Sequence, residues 1–185
     1  MDKRIKVVGF SGSLRKHSHN GALLRAAQLL APEQMEIEIF ELNDIPFYNE
    51  DIERAGLPES VKIFKEKIAA ADSLLIASPE YNYSFTGVLK NAIDWASRPP
   101  APSPLSKKQY AIMGVSGGIS GTMRSQLHFR QVATAVNMTA MNKPEVYITL
   151  AKQKFNENGE LTDQPTLEHL KTFLKSFYEW TTINK

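Results

Sequence analysis

IKVVGFSGSLRKHSHN, residues 5–20, decides the fold. Ile5–Phe10 is an apolar run of the kind expected in a strand covered on both faces. The stretch that follows, Gly9–Asn20, carries two Gly, three Ser, one Arg and two His, and almost nothing apolar. An Ala/Leu-rich helical pattern begins near Asn20 and runs to Leu30. Strand, polar turn and helix in that order make the first half of a βα unit, and this turn is composed for a ligand outside the chain.

The same alternation recurs. Met35–Phe40 alternates apolar and polar, as a strand nearer a sheet edge does. Ser73–Ser78 (SLLIAS) and Tyr110–Ser116 (YAIMGVS) are continuous and apolar. Met138–Ile148 is read as a fifth strand, with Pro144 placing part of it at an edge or bulge. Between them lie helices: Val61, Phe64, Ile68 and Ala71 share one face of a helix from about Pro58, and Leu89, Ile93 and Ala96 share another. Ser120–Val136 follows the fourth strand, and Leu170, Phe173, Leu174 and Phe177 recur with helical period in the last, read over Thr166–Tyr178. Five alternations predict an α/β, doubly wound, five-stranded parallel sheet with helices on both faces. Residues 1–185 form one domain. Glu41–Leu57, Pro99–Lys108 and Lys152–Asp163 are read as loops, the last as an exposed excursion.

Composition removes several function classes. Formal net charge is +2 with acids and bases interspersed, so no basic stripe marks a nucleic-acid partner. There is no Cys, which excludes disulfides and thiol catalysis. No apolar run approaches a membrane span, and the N-terminus is too short in apolar residues for a signal peptide; a cytoplasmic location is the expectation. His17, His19, His128 and His169 lack metal-ligand spacing, so no metal is expected.

In an open parallel sheet the ligand lies beyond the carboxyl ends of the strands. Three loops gather there. In the first, Ser11, Ser13, Ser18 and Asn20 supply short polar groups, Arg15 a planar cation, and the helix N-terminus free N–H groups. Together they suit one phosphate. The plainer reading is a capped turn with solvated polar side chains, which so many hydroxyls around one Arg argue against. The loop is neither G-x-G-x-x-G nor a Walker A sequence, so the phosphate is a monoester. His17 and His19 flank it and are read as solvated residues, with contact of one of them to the ligand as the alternative.

The second loop, Pro79–Thr86 (PEYNYSFT), follows SLLIAS. Pro79, Glu80, Tyr81, Asn82 and Tyr83 suit the edge and face of a flat heteroaromatic ring. Glu80 reads equally as a ligand contact or a solvated charge, and one of the two Tyr is expected to be exposed. The third, SGGISGT from Ser116, has three Gly in five residues, and Ser116, Gly117 and Gly118 let backbone approach a ligand. Gly114–Gly118 also fits G-x-S-x-G, the nucleophile elbow of α/β-hydrolases, with Asp163 and His169 in suitable chain order. A serine hydrolase using Ser116 is therefore an alternative, though it leaves the first two loops without a role.

GSLRKxSxN after the first strand, PEYNYS followed by LKNAIDW after the third, and the Gly-rich turn after the fourth together resemble the NADPH-dependent FMN reductase family, nearest its bacterial chromate and quinone reductases. The likeness runs from about Ile5 to Tyr178. It implies a flavodoxin-like fold, non-covalent FMN, NADPH or NADH as co-substrate, and dimers or tetramers. It implies hydride passed from NAD(P)H through FMN to a small-molecule electron acceptor: quinones, azo dyes, free flavins or metal oxyanions such as chromate. On the matching motifs, Ser13, Arg15, Ser18 and Asn20, with Ser11, would hold the phosphate; Pro79–Tyr83 would line the isoalloxazine; Ser116–Gly118 would close the far side. Family members often carry Gly where His17 stands.

No residue reads as a dedicated acid or base, so no catalytic side chain is expected; Asn82 and Tyr83 are expected to shape the hydride geometry. Arg98, Arg124 and Lys90 are candidates for a 2′-phosphate. A flavodoxin-like electron carrier is the rival within the same fold, but such carriers are typically acidic, and +2 argues against it. The apolar Ile45–Tyr48 in an aperiodic loop either folds back onto its own sheet or marks a subunit boundary; the second reading makes the protein at least an isologous dimer, in line with the homodimer or homotetramer the resemblance implies.

Overall fold

The computed structural model describes residues 4–99 and 103–184. Its elements are β1 (Ile5–Ser11), α1 (His19–Leu30), β2 (Met35–Ile39), α2 (Glu50–Ala55), α3 (Glu59–Ala70), β3 (Ser73–Ala77), α4 (Gly87–Ala96), β4 (Gln109–Val115), α5 (Met123–Ala135), β5 (Thr139–Ala140), β6 (Val146–Ile148), a 3₁₀ turn (Ala151–Gln153) and α6 (Gln164–Ile183). The strands run parallel in the order β2-β1-β3-β4-β5, and β6 also pairs with β4.

Strand parity builds the two layers. Ile5, Val7, Leu75, Ala77, Ala111 and Met113 face α1 and α6, where Leu23, Leu24, Phe173 and Phe177 meet them. Val8, Phe10, Leu74, Ile76, Tyr110 and Ile112 face α3, α4 and α5, against Phe64, Leu89, Ile93 and Phe129. Both faces are covered, so the middles of the central strands are apolar runs rather than alternating. At Gly9 the helix comes so near that a Cβ would lie 2.9 Å from Leu24 Cδ1.

Four local expectations are corrected. The fifth strand is broken: β5 pairs with Gln109 and Tyr110, β6 with Met113–Val115. Pro144, without an N–H, lies in the gap. Glu41–Leu57 is not all loop, because α2 forms there behind the Asn49 cap, whose Oδ1 accepts from Asp51 N–H at 2.8 Å. Within Lys152–Asp163, Phe155 and Leu161 pair across an antiparallel bridge and are buried, so that excursion is anchored. α6 extends past Tyr178 to Ile183, and Thr181 donates to Ser73 Oγ beneath it.

The Ile45–Tyr48 loop is mostly held by its own subunit. Pro46 O accepts from Asn91 Nδ2 and Trp95 Nε1, and the Tyr48 ring meets Trp95 edge-on at 5.0 Å. Phe47 is left 83% exposed. Of the Pro99–Lys108 stretch, 100–102 lie outside the described residues, and Leu105 is buried.

Candidate cofactor site

The order of the strands reverses between β2 and β3 on either side of β1, which opens a crevice at their carboxyl ends. Backbone bonds bring the loops leaving β1, β3 and β4 into step there. Gly12 N–H donates to Ala77 O (2.9 Å), Ser78 N–H to Met113 O (2.9 Å) and Ser116 N–H to Ile148 O (2.9 Å).

The β1 loop is pressed onto the β3 loop. A Cβ at Gly12 would lie 2.8 Å from Thr86 Oγ1 and 3.1 Å from Pro79 Cδ, while Thr86 donates to Gly12 O at 2.6 Å. Ser11 Oγ accepts from Ser13 N–H (3.3 Å), Ser13 Oγ from Arg15 N–H (3.5 Å), and Ser18 Oγ caps α1 by accepting from Gly21 N–H (3.3 Å). Arg15 Nη2 donates to His17 O at 2.9 Å. The first turn of α1 holds no acid, so its forward N–H groups and the positive end of its dipole meet the cavity unopposed.

Asn20 does something its sequence position did not suggest. Its Nδ2 donates to Val115 O (2.9 Å) and its Oδ1 accepts from Val115 N–H (3.0 Å), with the side chain buried. The amide is thus spent splicing α1 to the end of β4.

The β3 loop is a tight hairpin. Tyr81 and Ser84 exchange backbone bonds (2.9 and 3.0 Å), and Asn82 (φ 51°) and Tyr83 (φ 68°) are both left-handed. Both Tyr81 and Tyr83 are exposed, where one was expected to be. Glu80 is not a solvated charge: its carboxylate accepts from Arg124 and Ser125 at the start of α5.

In the β4 loop, Ser116 Oγ donates to Gly118 O at 3.3 Å, and Gly117 and Gly118 have open space beside them. The third glycine, Gly121 (φ 56°), is needed by the chain itself, since a Cβ would lie 2.7 Å from Tyr147 C. The G-x-S-x-G pattern has a packing origin too: a Cβ at Gly114 would fall 2.1 Å from Thr122 Oγ1 and 2.5 Å from Ser78 O. No hydrolase triad assembles among the described residues. His169 Nε2 is bonded to Glu145 O (2.7 Å), and the Asp163 carboxylate caps α6 and pairs with Lys154.

Ser13, Arg15, Ser18, Asn20, Pro79, Glu80, Tyr81, Ser116 and Gly117 line one cavity of about 140 Å³. Ser11 lines an adjoining one of about 210 Å³ on the β2 side. Asn82, Tyr83 and Gly118 are exposed and outside the lining of both. Val115 and His19 also line the first cavity. His19 was read as solvated, but it packs on Phe155 at 4.9 Å, and burial, then the Arg15 charge, lower its pKa from the ordinary value. The signal for that contact lay far off, in an aromatic within a polar stretch. Of the cations considered for a 2′-phosphate, Lys90 pairs with Asp94 (2.7 Å), Arg124 with Glu80, and Arg98 lies beyond the far end of α4, over Tyr48.

The family model for NADPH-dependent FMN reductase matches residues 5–153. An NAD(P)H-dependent FMN reductase of Pseudomonas aeruginosa is 48% identical over 180 residues, covering 97% of each chain. A quinone reductase of Escherichia coli is 41% identical over 183 residues, again 97% of each. Among solved structures, a flavoenzyme NAD(P)H:(acceptor) oxidoreductase from Paracoccus denitrificans superposes with a TM-score of 0.89 at 35% identity, over 97% of this chain and 98% of that one. The chain is an FMN-dependent NAD(P)H oxidoreductase with a flavodoxin-like fold, and it belongs to the NADPH-dependent FMN reductase family.

Proposed function

We propose that this oxidoreductase delivers reducing equivalents to quinones, with azo dyes, free flavins and chromate as further acceptors, and that the FMN lies across the cavity between the β1, β3 and β4 loops. The observation that carries the reading is the convergence of three separate loops on that one cavity at the N-terminus of α1. The residues fit the group. Ser11, Ser13, Ser18 and Arg15 with the first-turn N–H groups of α1 form a donor set for a phosphate monoester. Pro79–Tyr83 offers backbone groups and apolar surface to a flat ring, and Ser116–Gly118 closes the opposite side with little side-chain bulk. Asn20 serves by holding that side in place.

Bound FMN supplies the two-electron chemistry. The chain's own part is to bind, orient and shield. Arg15 and the α1 N-terminus neutralise the phosphate, the glycines keep the β4 side low, and the exposed Tyr81–Tyr83 hairpin shapes the approach of a second planar ligand. No side chain is assigned a proton transfer. Quinones are favoured as acceptors because several of the relatives are quinone reductases.

The protein is proposed to act in the cytoplasm as a homodimer or homotetramer. Phe47 remains exposed on the loop expected at the boundary, and Ile119, Met123 and Leu127 expose further apolar surface beside the β4 loop. The test is steady-state oxidation of NADPH and NADH by the purified holoprotein with 1,4-benzoquinone, run alongside sedimentation. Parallel double-reciprocal lines and a mass of two or four subunits support the reading. An electron carrier would consume no NAD(P)H, and a fully active monomer would refute the assembly.

A further inference from the structure

The loops after β3 and β4 are tied together by an ion pair at the edge of the cavity. α5 starts without an acid in its first turn, and its N-cap Thr122 (φ 71°) makes no side-chain capping bond. The carboxylate it lacks comes from another loop. Glu80 Oε2 accepts from the N–H groups of Arg124 (3.1 Å) and Ser125 (3.3 Å). Glu80 Oε1 accepts from Arg124 Nε (2.7 Å) and lies 2.7 Å from Nη2. Among the described residues, every donor reaching this carboxylate belongs to the first turn of α5, and the Glu80 side chain is only 5% exposed.

The guanidinium so fixed lies over the Tyr83 ring, 3.9 Å from its centroid. Tyr83 is the second of two successive left-handed residues, the pair that a two-residue turn closed by the Tyr81–Ser84 backbone bonds requires. The core does not fix where that turn sits, because Tyr83 is 70% exposed. The contact that meets its ring is Arg124. A planar cation gripped at its edge by a carboxylate and stacked on an aromatic face is a role that Arg fills and Lys does not.

We propose that Arg124 is a positioning residue for the flavin wall. Clamped by Glu80 and stacked on Tyr83, it holds the Asn82–Tyr83 turn against the start of α5, and so keeps the Pro79–Tyr83 segment in the place that receives the isoalloxazine. It does this without touching the ligand, and the assignment rests on the placement of FMN proposed above. The loops after β3 and β4 then keep one mutual arrangement, and an empty site is already formed.

The experiment is a mutant cycle read by FMN titration of the apoproteins, using quenching of flavin fluorescence. Arg124→Ala is expected to weaken FMN about three- to tenfold, the span of one partly exposed ring–cation contact with its ion pair. On a Tyr83→Ala background the same substitution is expected to change affinity less than about twofold, because the element through which it acts is gone. Arg124→Lys keeps the charge at Glu80 but not the stacked plane. It is expected to melt with the wild type as apoprotein while binding FMN like Arg124→Ala, and to alter the visible circular dichroism of the bound flavin. Wild-type affinity in Arg124→Ala overturns the clamp. So does an undiminished effect on the Tyr83→Ala background, or a defect confined to the KM for NADPH, which would make Arg124 a 2′-phosphate contact. A wild-type apoprotein that binds no FMN overturns the placement of the cofactor instead.

Discussion

Replacing Asn20 by Ala separates what the loop looks like from what it does. In sequence Asn20 closes a phosphate-binding motif; in the structure its amide exchanges two hydrogen bonds with the backbone of Val115, at 2.9 and 3.0 Å, in a buried setting. The substitution would orphan one buried N–H and one buried C=O, each costing about 1–3 kcal/mol. Taking the middle of that range with partial relaxation gives a total of about 3 kcal/mol. A domain of this length loses about 2–4 °C of melting temperature per kcal/mol, so the apoprotein should melt roughly 6–12 °C lower. Asn20→Asp should also be destabilised, since it keeps an acceptor for Val115 N–H but sets a carboxylate oxygen against Val115 O. The assay is scanning calorimetry on apoprotein, where FMN makes no contribution. An Asn20→Ala apoprotein melting within about 2 °C of wild type, with FMN affinity sharply reduced, would refute the reasoning and return Asn20 to the phosphate.

Arg15→Ala should weaken FMN about tenfold or more, the worth of a charge-assisted hydrogen bond of about 1.5–3 kcal/mol, by titration of apoprotein; unchanged affinity contradicts the phosphate assignment. Ser116→Ala should keep most quinone reductase activity, because its hydroxyl bonds only Gly118 O among the described residues; an esterase activity lost with this hydroxyl would revive the hydrolase reading. The Thr166 hydroxyl, and then Lys154, hold the Asp163 carboxyl below its ordinary 3.8. The folded state therefore binds that proton less readily than the unfolded one. The stabilisation is fully present above about pH 4–5 and is lost as pH falls through the lowered folded value. The melting gap between wild type and Asp163→Asn should accordingly be flat from pH 8 to about 5 and close only in acid; a gap that closes between pH 8 and 6 contradicts it.

What could be read in advance follows the range of the interactions. SLLIAS announces a strand covered on both sides because both faces of β3 are buried, and the helices of α3, α4 and α6 show because each buries one stripe. α2 escaped because EDIERA buries no residue, so it carries no periodic signal. The fifth strand was read whole because nothing local marks where pairing to β4 stops and resumes. At the site, the three loops were recognisable from their composition. The partners of their polar groups were not, because those partners lie 44 to 95 residues away: Glu80 with Arg124, Asn20 with Val115. A carboxylate that caps another element's helix looks, in sequence, like a solvated charge.

The central claim is that FMN occupies the cavity formed by the loops after β1, β3 and β4. It is tested most directly by amide hydrogen exchange of the apoprotein with and without saturating FMN. Exchange should slow in residues 11–20, 79–84 and 116–118, and be unchanged in residues 158–162, which wall a wider cleft of about 560 Å³ beside α1. Protection there, or around the cavity of about 480 Å³ walled by Tyr48, Ser97 and Asn137, with the three loops unaltered, would contradict the account.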